Sequence, residues 1–106
     1  MTIIEKSRNF PGCYRASELA RYGINTFYKV YGTNKLIGIR QIRLSNIQGL
    51  TSLVIRESYS EPLYKQAMRM QMGQRPKIIE DRRSYRVKQL TSEELHGKLF
   101  EIYETV

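Results

Sequence analysis

Few residues of this 106-residue chain are of types that do covalent chemistry, and their spacing assembles no catalytic set. The single histidine, His96, stands beside Gly97 in a polar stretch, and the single cysteine, Cys13, is far from it in sequence. Neither a Cys–His nucleophile pair nor a His/Cys metal cluster is therefore spelled. The one aspartate, Asp81, precedes Arg82 and Arg83, where a salt bridge is the ordinary outcome. Glu57 and Glu61 flank Ser58-Tyr59-Ser60 and imitate the carboxylate pair of a general acid–base site, but a place at the start of a helix explains Glu61 better. Gly32 and Gly38 have neither a P-loop lysine nor GxGxxG spacing, so no phosphate-cradling loop is expected. The expectation is a protein that is not an enzyme and holds no metal or cofactor.

The residues favour recognition instead. Eighteen Lys and Arg against ten Asp and Glu give a net charge of +8, which calls for an acidic partner. Residues 91–106 hold Lys98 against Glu93, Glu94, Glu101 and Glu104, a net of −3, so residues 1–90 carry +11. Eleven of the eighteen cations are arginine, whose planar fork suits bidentate pairing with carboxylate or phosphate. Arg40, Arg43, Arg56, Arg69 and Arg75 are the expected charge-assisted contacts, with Tyr59, Tyr64 and Met68 as apolar anchors. Met68, Met70 and Met72 alternate, so a single helix cannot bury all three; they are either core filling or, with Tyr64, an adaptable binding patch. Acidic protein subunits of a larger complex are the first partner expected. Nucleic acid is the alternative, with the same arginines on phosphates and Tyr28, Tyr31 or Tyr85 stacked on bases.

The elements that would position these residues centre on residues 51–79. Leu53-Val54-Ile55 reads as a strand covered on both faces, and Ser60 as the N-cap of a helix whose first turn holds Glu61 and Pro62. Leu63, Ala67 and Met70 then face the sheet, Gly73 and Pro76 end the helix, and Lys77-Ile78-Ile79 begins another strand. Residues 1–14 read as an extended arm broken at Pro11-Gly12, and residues 15–106 as one compact domain. Arg15 to Tyr22 is a short helical segment stopped at Gly23, followed by a strand over 27–31. Residues 37–57 suggest an antiparallel hairpin, with a bulge near Arg40-Gln41 and with Arg40, Arg43 and Arg56 on one face. Glu80 to Arg83 reads as a turn, and Ser84 to Lys88 as a strand with Tyr85 and Val87 inward. Thr91 and Glu94 form a capping box ahead of Leu95, Leu99, Ile102 and Val106, a helical stripe. The expected fold is α+β: a small antiparallel or mixed sheet of three to five strands, a β-α-β core and a C-terminal helix over 91–106.

Over residues 27–80 the chain resembles a known family. Arg43-Leu-Ser-Asn46, the strand Leu53-Val-Ile55, Tyr59-Ser60, a helix, Gly73 and Lys77-Ile78-Ile79 are similar in order to the core of the small capping linker domain of phycobilisomes. Phe27-Tyr-Lys-Val-Tyr-Gly32 resembles that family's opening strand. The resemblance implies a basic β-α-β plug in the central hole of an acidic phycobiliprotein disc, organising the disc and tuning its bilins. It also implies the cytoplasm, or the plastid stroma at the thylakoid surface. The lone cysteine, the absence of a run of about 20 apolar residues and the absence of a signal-peptide core fit a soluble intracellular protein with no membrane span.

Overall fold

Thr2-Ile-Ile-Glu-Lys6 holds a β-branched trio, and its central Ile4 is completely buried. In the computed structural model, which describes residues 2–41, 47 and 49–106, this strand, β1 (Thr2–Lys6), closes a barrel. The chain continues through β2 (Cys13–Arg15), α1 (Ala16–Leu19) with a 3₁₀ turn over Ala20–Tyr22, β3 (Phe27–Val30) and β4 (Leu36–Arg40). Then come β5 (Ser52–Ser60), α2 (Leu63–Gln71), β6 (Ile78–Gln89) and β7 (Leu99–Thr105).

Around the ring the order is β1-β5-β6-β3-β4-β7, and pairing of β7 with β1 closes it. The β1–β5 and β4–β7 pairs are parallel; the other pairs are antiparallel. β2 lies on β7 beyond β1, so residues 2–15 follow one edge of β7 with an excursion in the middle. The Ser7 N–H donates to the Ile102 carbonyl where the two stretches part.

Strand alternation gives the barrel two apolar surfaces. Inward residues, among them Ile4, Tyr28, Val30, Ile37, Ile39, Leu53, Ile55, Val87 and Tyr103, form the interior cluster. Full burial of a side chain such as Ile4 contributes about 1.5–3 kcal/mol. A second cluster, Phe10, Leu19, Ile24, Phe27, Leu90, Phe100 and Ile102, lies outside the barrel wall beneath α1 and the segment leading to β2. Gly38 sits beneath this outer layer, between the Phe27 ring and the Ile102 side chain. Phe27 and Ile102 are its partners on either side, and a Cβ there would meet the Ile102 Cδ1 at 3.0 Å and the Phe27 ring at 3.1 Å.

Several expectations are corrected. The fold is a β-barrel and not α+β, and the described residues form seven strands where three to five were expected. β5 and β6 flank α2 but pair antiparallel, as a hairpin, and not as the parallel strands of a β-α-β unit. No C-terminal helix forms. The Thr91 N–H and hydroxyl do bond the Glu94 carboxylate at 3.2 and 3.1 Å, but Gly97 at φ 72° ends the turn and residues 99–105 are strand. Phe100 and Ile102 on one face and Tyr103 on the other bury more in a strand than the stripe of Leu95, Leu99, Ile102 and Val106 would in a helix. Part of the N-terminal arm expected over 1–14 is the closing strand β1. Among the described residues β4 and β5 are not paired with each other, so the hairpin expected over 37–57 does not join them; the residues after Gln41 that the bulge near Arg40-Gln41 would involve lie outside the described residues. The charged run Glu80 to Arg83 lies within β6, because Glu80 is answered by Arg56 across the hairpin and Asp81 by Arg83 along the strand. Tyr85 and Val87 point inward and Arg86 and Lys88 outward, as the alternation predicts. Among the described residues no helix is long and apolar enough to cross a membrane.

Gly38→Val is expected to destabilise the protein by about 1–3 kcal/mol, since the outer cluster has to shift to admit the side chain. Urea denaturation checks this, as a lower midpoint at unchanged slope.

Candidate protein-docking arm

β1 accompanies β5 only as far as Arg56, opposite Glu5, and β3 meets β6 only at residues 87–89. Beyond those points residues 57–60 and 78–81 pair with each other alone. They form an arm that carries α2 at its tip, and the molecule is accordingly elongated, 55 × 27 × 26 Å.

Glu61 joins the tip to the arm. Its backbone N–H donates to the Lys77 carbonyl at 3.0 Å, which extends the hairpin ladder one step. Its carboxylate accepts the Lys77 N–H at 2.9 Å on one oxygen and the Arg69 Nε–H at 2.8 Å on the other, and its carbonyl accepts the Gln66 amide. The side chain is 3% exposed. Burial pushes the carboxyl pKa up, but the Lys77 N–H and the Arg69 guanidinium outweigh it and hold the group below its ordinary value. Helix start and stop follow local rules. Pro62 is the N-cap, two residues beyond the expected Ser60 cap, because Ser60 and Glu61 remain in the ladder. Gly73, at φ 74°, closes the helix as expected: its N–H reaches the Met70 carbonyl and the Gln74 N–H the Arg69 carbonyl, a Schellman ending.

The helix buries none of its residues. Leu63 is 82% exposed, Met72 73%, Met70 67% and Tyr64 64%, so Leu63 and Met70 do not face the sheet as their spacing predicted. Met68 and Met72 instead line a groove of about 680 Å³ with Ile78 and Ile79 of β6, which are also exposed. Lys65, Arg69 and Lys77 stand at its edge with Glu61 and Glu80.

Of the residues that the sequence singled out, Tyr59, Tyr64, Met68, Arg69 and Arg75 come together on the arm and its tip. Arg69 is committed to Glu61; Tyr59 lies on the arm face with its hydroxyl bonded to Glu57, which lowers the Glu57 carboxyl pKa and raises that of the phenol. Arg56 stands at the arm's root, paired with Glu80 and, at 3.9 Å, with Glu5. Arg40 is elsewhere, on β4, 3.4 Å from Glu104 and stacked over Phe10 at 5.4 Å, so it has a structural role in the barrel and does not share a face with Arg56. Arg43 lies outside the described residues. Sequence reasoning placed Leu63 and Met70 against the sheet, left Met72 open between core and surface, and did not single out Ile78 and Ile79 as surface residues. The available signal was that Gln66 and Arg69 lie three apart, on the side of the helix that Glu61 can hold against the chain, which leaves Leu63, Tyr64 and Met70 exposed.

Two further concavities neighbour titratable side chains. Where the arm leaves the barrel, Lys35 Nζ lies 3.3 Å from the Glu57 carboxylate and 3.5 Å from the Tyr103 hydroxyl, beside a cavity of about 530 Å³. Burial pushes the Lys35 ammonium down, but Tyr103 and Glu57 outweigh it and its pKa rises; burial also raises that of Tyr103. These are mutually satisfied groups. His96 lines a cavity of about 500 Å³ with Arg15, Ser17, Ser92 and Lys98, a set without thiol or carboxylate. Among the described residues no group of three or more His, Cys, Asp or Glu is placed to hold a metal ion.

The Glu61 linkage has a definite sign. A carboxyl whose pKa is lowered in the folded state contributes stability above its unfolded value, near 4.3, and loses it as pH falls through the folded value. The tip is therefore expected to loosen from the arm below the ordinary carboxylate range while the barrel persists. Glu61→Gln is expected to speed exchange of the Lys77 amide at neutral pH by about tenfold or more, since a charged acceptor is lost. Residue-resolved hydrogen exchange checks both outcomes. Comparison of the chain with models of known families, with curated proteins and with solved structures gives no match, so the reading of the site rests on its own geometry.

Proposed function

We propose that this is a non-enzymatic assembly protein that uses its arm to dock on an acidic protein partner. One observation carries the reading: α2 turns Gln66 and Arg69 to its own chain, where both bond Glu61, and leaves Leu63, Tyr64, Met68 and Met70 exposed. An amphipathic helix ordinarily buries its apolar side, and one of nine residues is too short to stand on intrinsic propensity. Its own chain supplies a Schellman ending and the Glu61 clasp but no apolar cover. The cover therefore comes from a partner.

Charge indicates what kind. Residues 62–79 contain Lys65, Arg69, Arg75 and Lys77 and no acidic residue, and Glu61 already answers Arg69. A partner that fits has an apolar groove for Tyr64, Met68 and their neighbours, with carboxylates at its rim for Lys65, Arg75 and Lys77. A second copy of this chain brings the same cations to the same rim and is disfavoured. The narrower form of the proposal is the capping-type phycobilisome linker that the sequence resembles, with a phycobiliprotein as partner.

The test is a photo-crosslinking amino acid at position 68, with the adduct isolated from source cells and identified by mass spectrometry. The expected product is a different protein, crosslinked through a segment that mixes apolar residues with Asp or Glu; bilin absorbance in it supports the narrower form. With that partner purified, Tyr64→Ala/Met68→Ala is expected to weaken binding at least about tenfold, as loss of buried aromatic and methionine anchors does. An adduct between two copies of the chain, or none at position 68 when a probe on the barrel does crosslink, overturns the proposal.

A further inference from the structure

The outer wall of the barrel carries a second feature, independent of the arm's tip. Along β6, Arg82, Arg86 and Lys88 all point outward, because Tyr85 and Val87 point in. Lys29 of β3 lies directly opposite Lys88, and Arg56 of β5 directly opposite Arg82. The Tyr31 N–H donates to the Arg86 carbonyl at 2.9 Å, which sets Tyr31 opposite Arg86; Tyr31 is 46% exposed. Like charges directly opposite each other weaken a sheet, and here two such pairs stand on one face. Glu80 and Glu5 answer the Arg56–Arg82 pair at one end, and Glu94 reaches Lys88 at 3.8 Å at the other. Between them, Lys29 and Arg86 have no carboxylate within ion-pairing distance among the described residues.

We infer that this face is a binding track for single-stranded nucleic acid, with Arg82, Arg86, Lys88 and Lys29 on its phosphates and Tyr31 stacked on a base. From Arg82 to Lys88 the cations span about 20 Å, at roughly 3.3 Å per residue. Ser52 and Val54 on the neighbouring strand, opposite Arg86 and Ser84, are short enough to let a backbone approach the wall. An exposed aromatic among cations serves an unpaired base, whereas a duplex hides its base faces. A single strand brings with each phosphate a base whose flat face an aromatic can stack on, so an exposed ring set among cations favours nucleic acid over protein on this face.

The test is fluorescence anisotropy of a labelled oligothymidylate of about 16 nucleotides, the upper range of site size for a small barrel, titrated over a series of salt concentrations. Lys29→Gln/Arg86→Gln is expected to weaken binding at least about tenfold and to reduce the slope of log K against log salt by about 1.4, two cations at roughly 0.7 each. Tyr31→Ala is expected to weaken binding without changing that slope. Arg15→Gln/Lys98→Gln, which removes the same charge elsewhere, is expected to change affinity by less than about twofold at moderate salt, where distant charges are screened. The melting temperature of the Lys29/Arg86 variant should equal or exceed that of the parent, since a like-charge pair is relieved. Lack of saturable binding at low salt overturns the inference. So do equal losses in the two double variants, duplex binding as tight as single-strand binding with Tyr31→Ala silent, or binding of polyglutamate in preference to the oligonucleotide.

Discussion

Closure of the barrel through β1 is the constraint on which the rest of the molecule depends. β1 pairs in parallel with β5 and antiparallel with β7, so five residues satisfy the edges of two strands that would otherwise lie open. Open edges template pairing with other chains, and a closed ring removes them. Because the ring is closed at Ile4, its inward faces become an interior for Tyr28, Ile37, Leu53 and Tyr103. Because β1 stops at Lys6, β5 and β6 continue without a neighbour and become an arm. The same short strand thus sets both the core and the reach of the projection.

The two surfaces raised on this frame obey different physics. At the arm's tip the unusual quantity is apolar area without cover; on the wall of β3, β6 and β5 it is charge without answer. The first is a short-range demand that dispersion and exclusion of water satisfy, and the second a long-range one that salt screens. Glu61 shows how the chain keeps them distinct. By holding Arg69 and the Lys77 N–H in the body of the tip, it removes one cation from the free set and leaves the groove beside it mainly apolar.

What was legible in the sequence was local. The strand of Phe27 to Val30, the short helix stopped at Gly23, the inward Tyr85 and Val87, the helix ended at Gly73 and the capping box at Thr91 all rest on neighbours in the chain. What failed was pairing at a distance. Nothing near Ile3-Ile4 announces partners at Val54-Ile55 and at Thr105, and without those partners two isoleucines look like a loose arm. Leu99 to Val106 satisfies both a helical and an alternating pattern, and only its place between β4 and β1 decides for the strand. On the site, the sequence located the Tyr64–Met68 region but assigned Leu63 and Met70 to a core, because periodicity cannot say whether a sheet lies beneath a helix. Arg40 misled for a related reason: its partners, Glu104 and Phe10, are remote in sequence.

The seam between β1 and β7 also sets the order of assembly. Ile4 pairs with Thr105, and the Val106 N–H donates to the Ile3 carbonyl, so the first barrel strand to leave the ribosome waits for the last before the ring can shut. During synthesis β5, α2 and β6 can form as a local hairpin while the edges of β4 and β5 stay unpaired. Topology of this kind, dominated by distant contacts, folds slowly. The arm is thus formed before the barrel that bears it is complete, and the nascent chain, not only the finished protein, is a species that the proposed partner can meet.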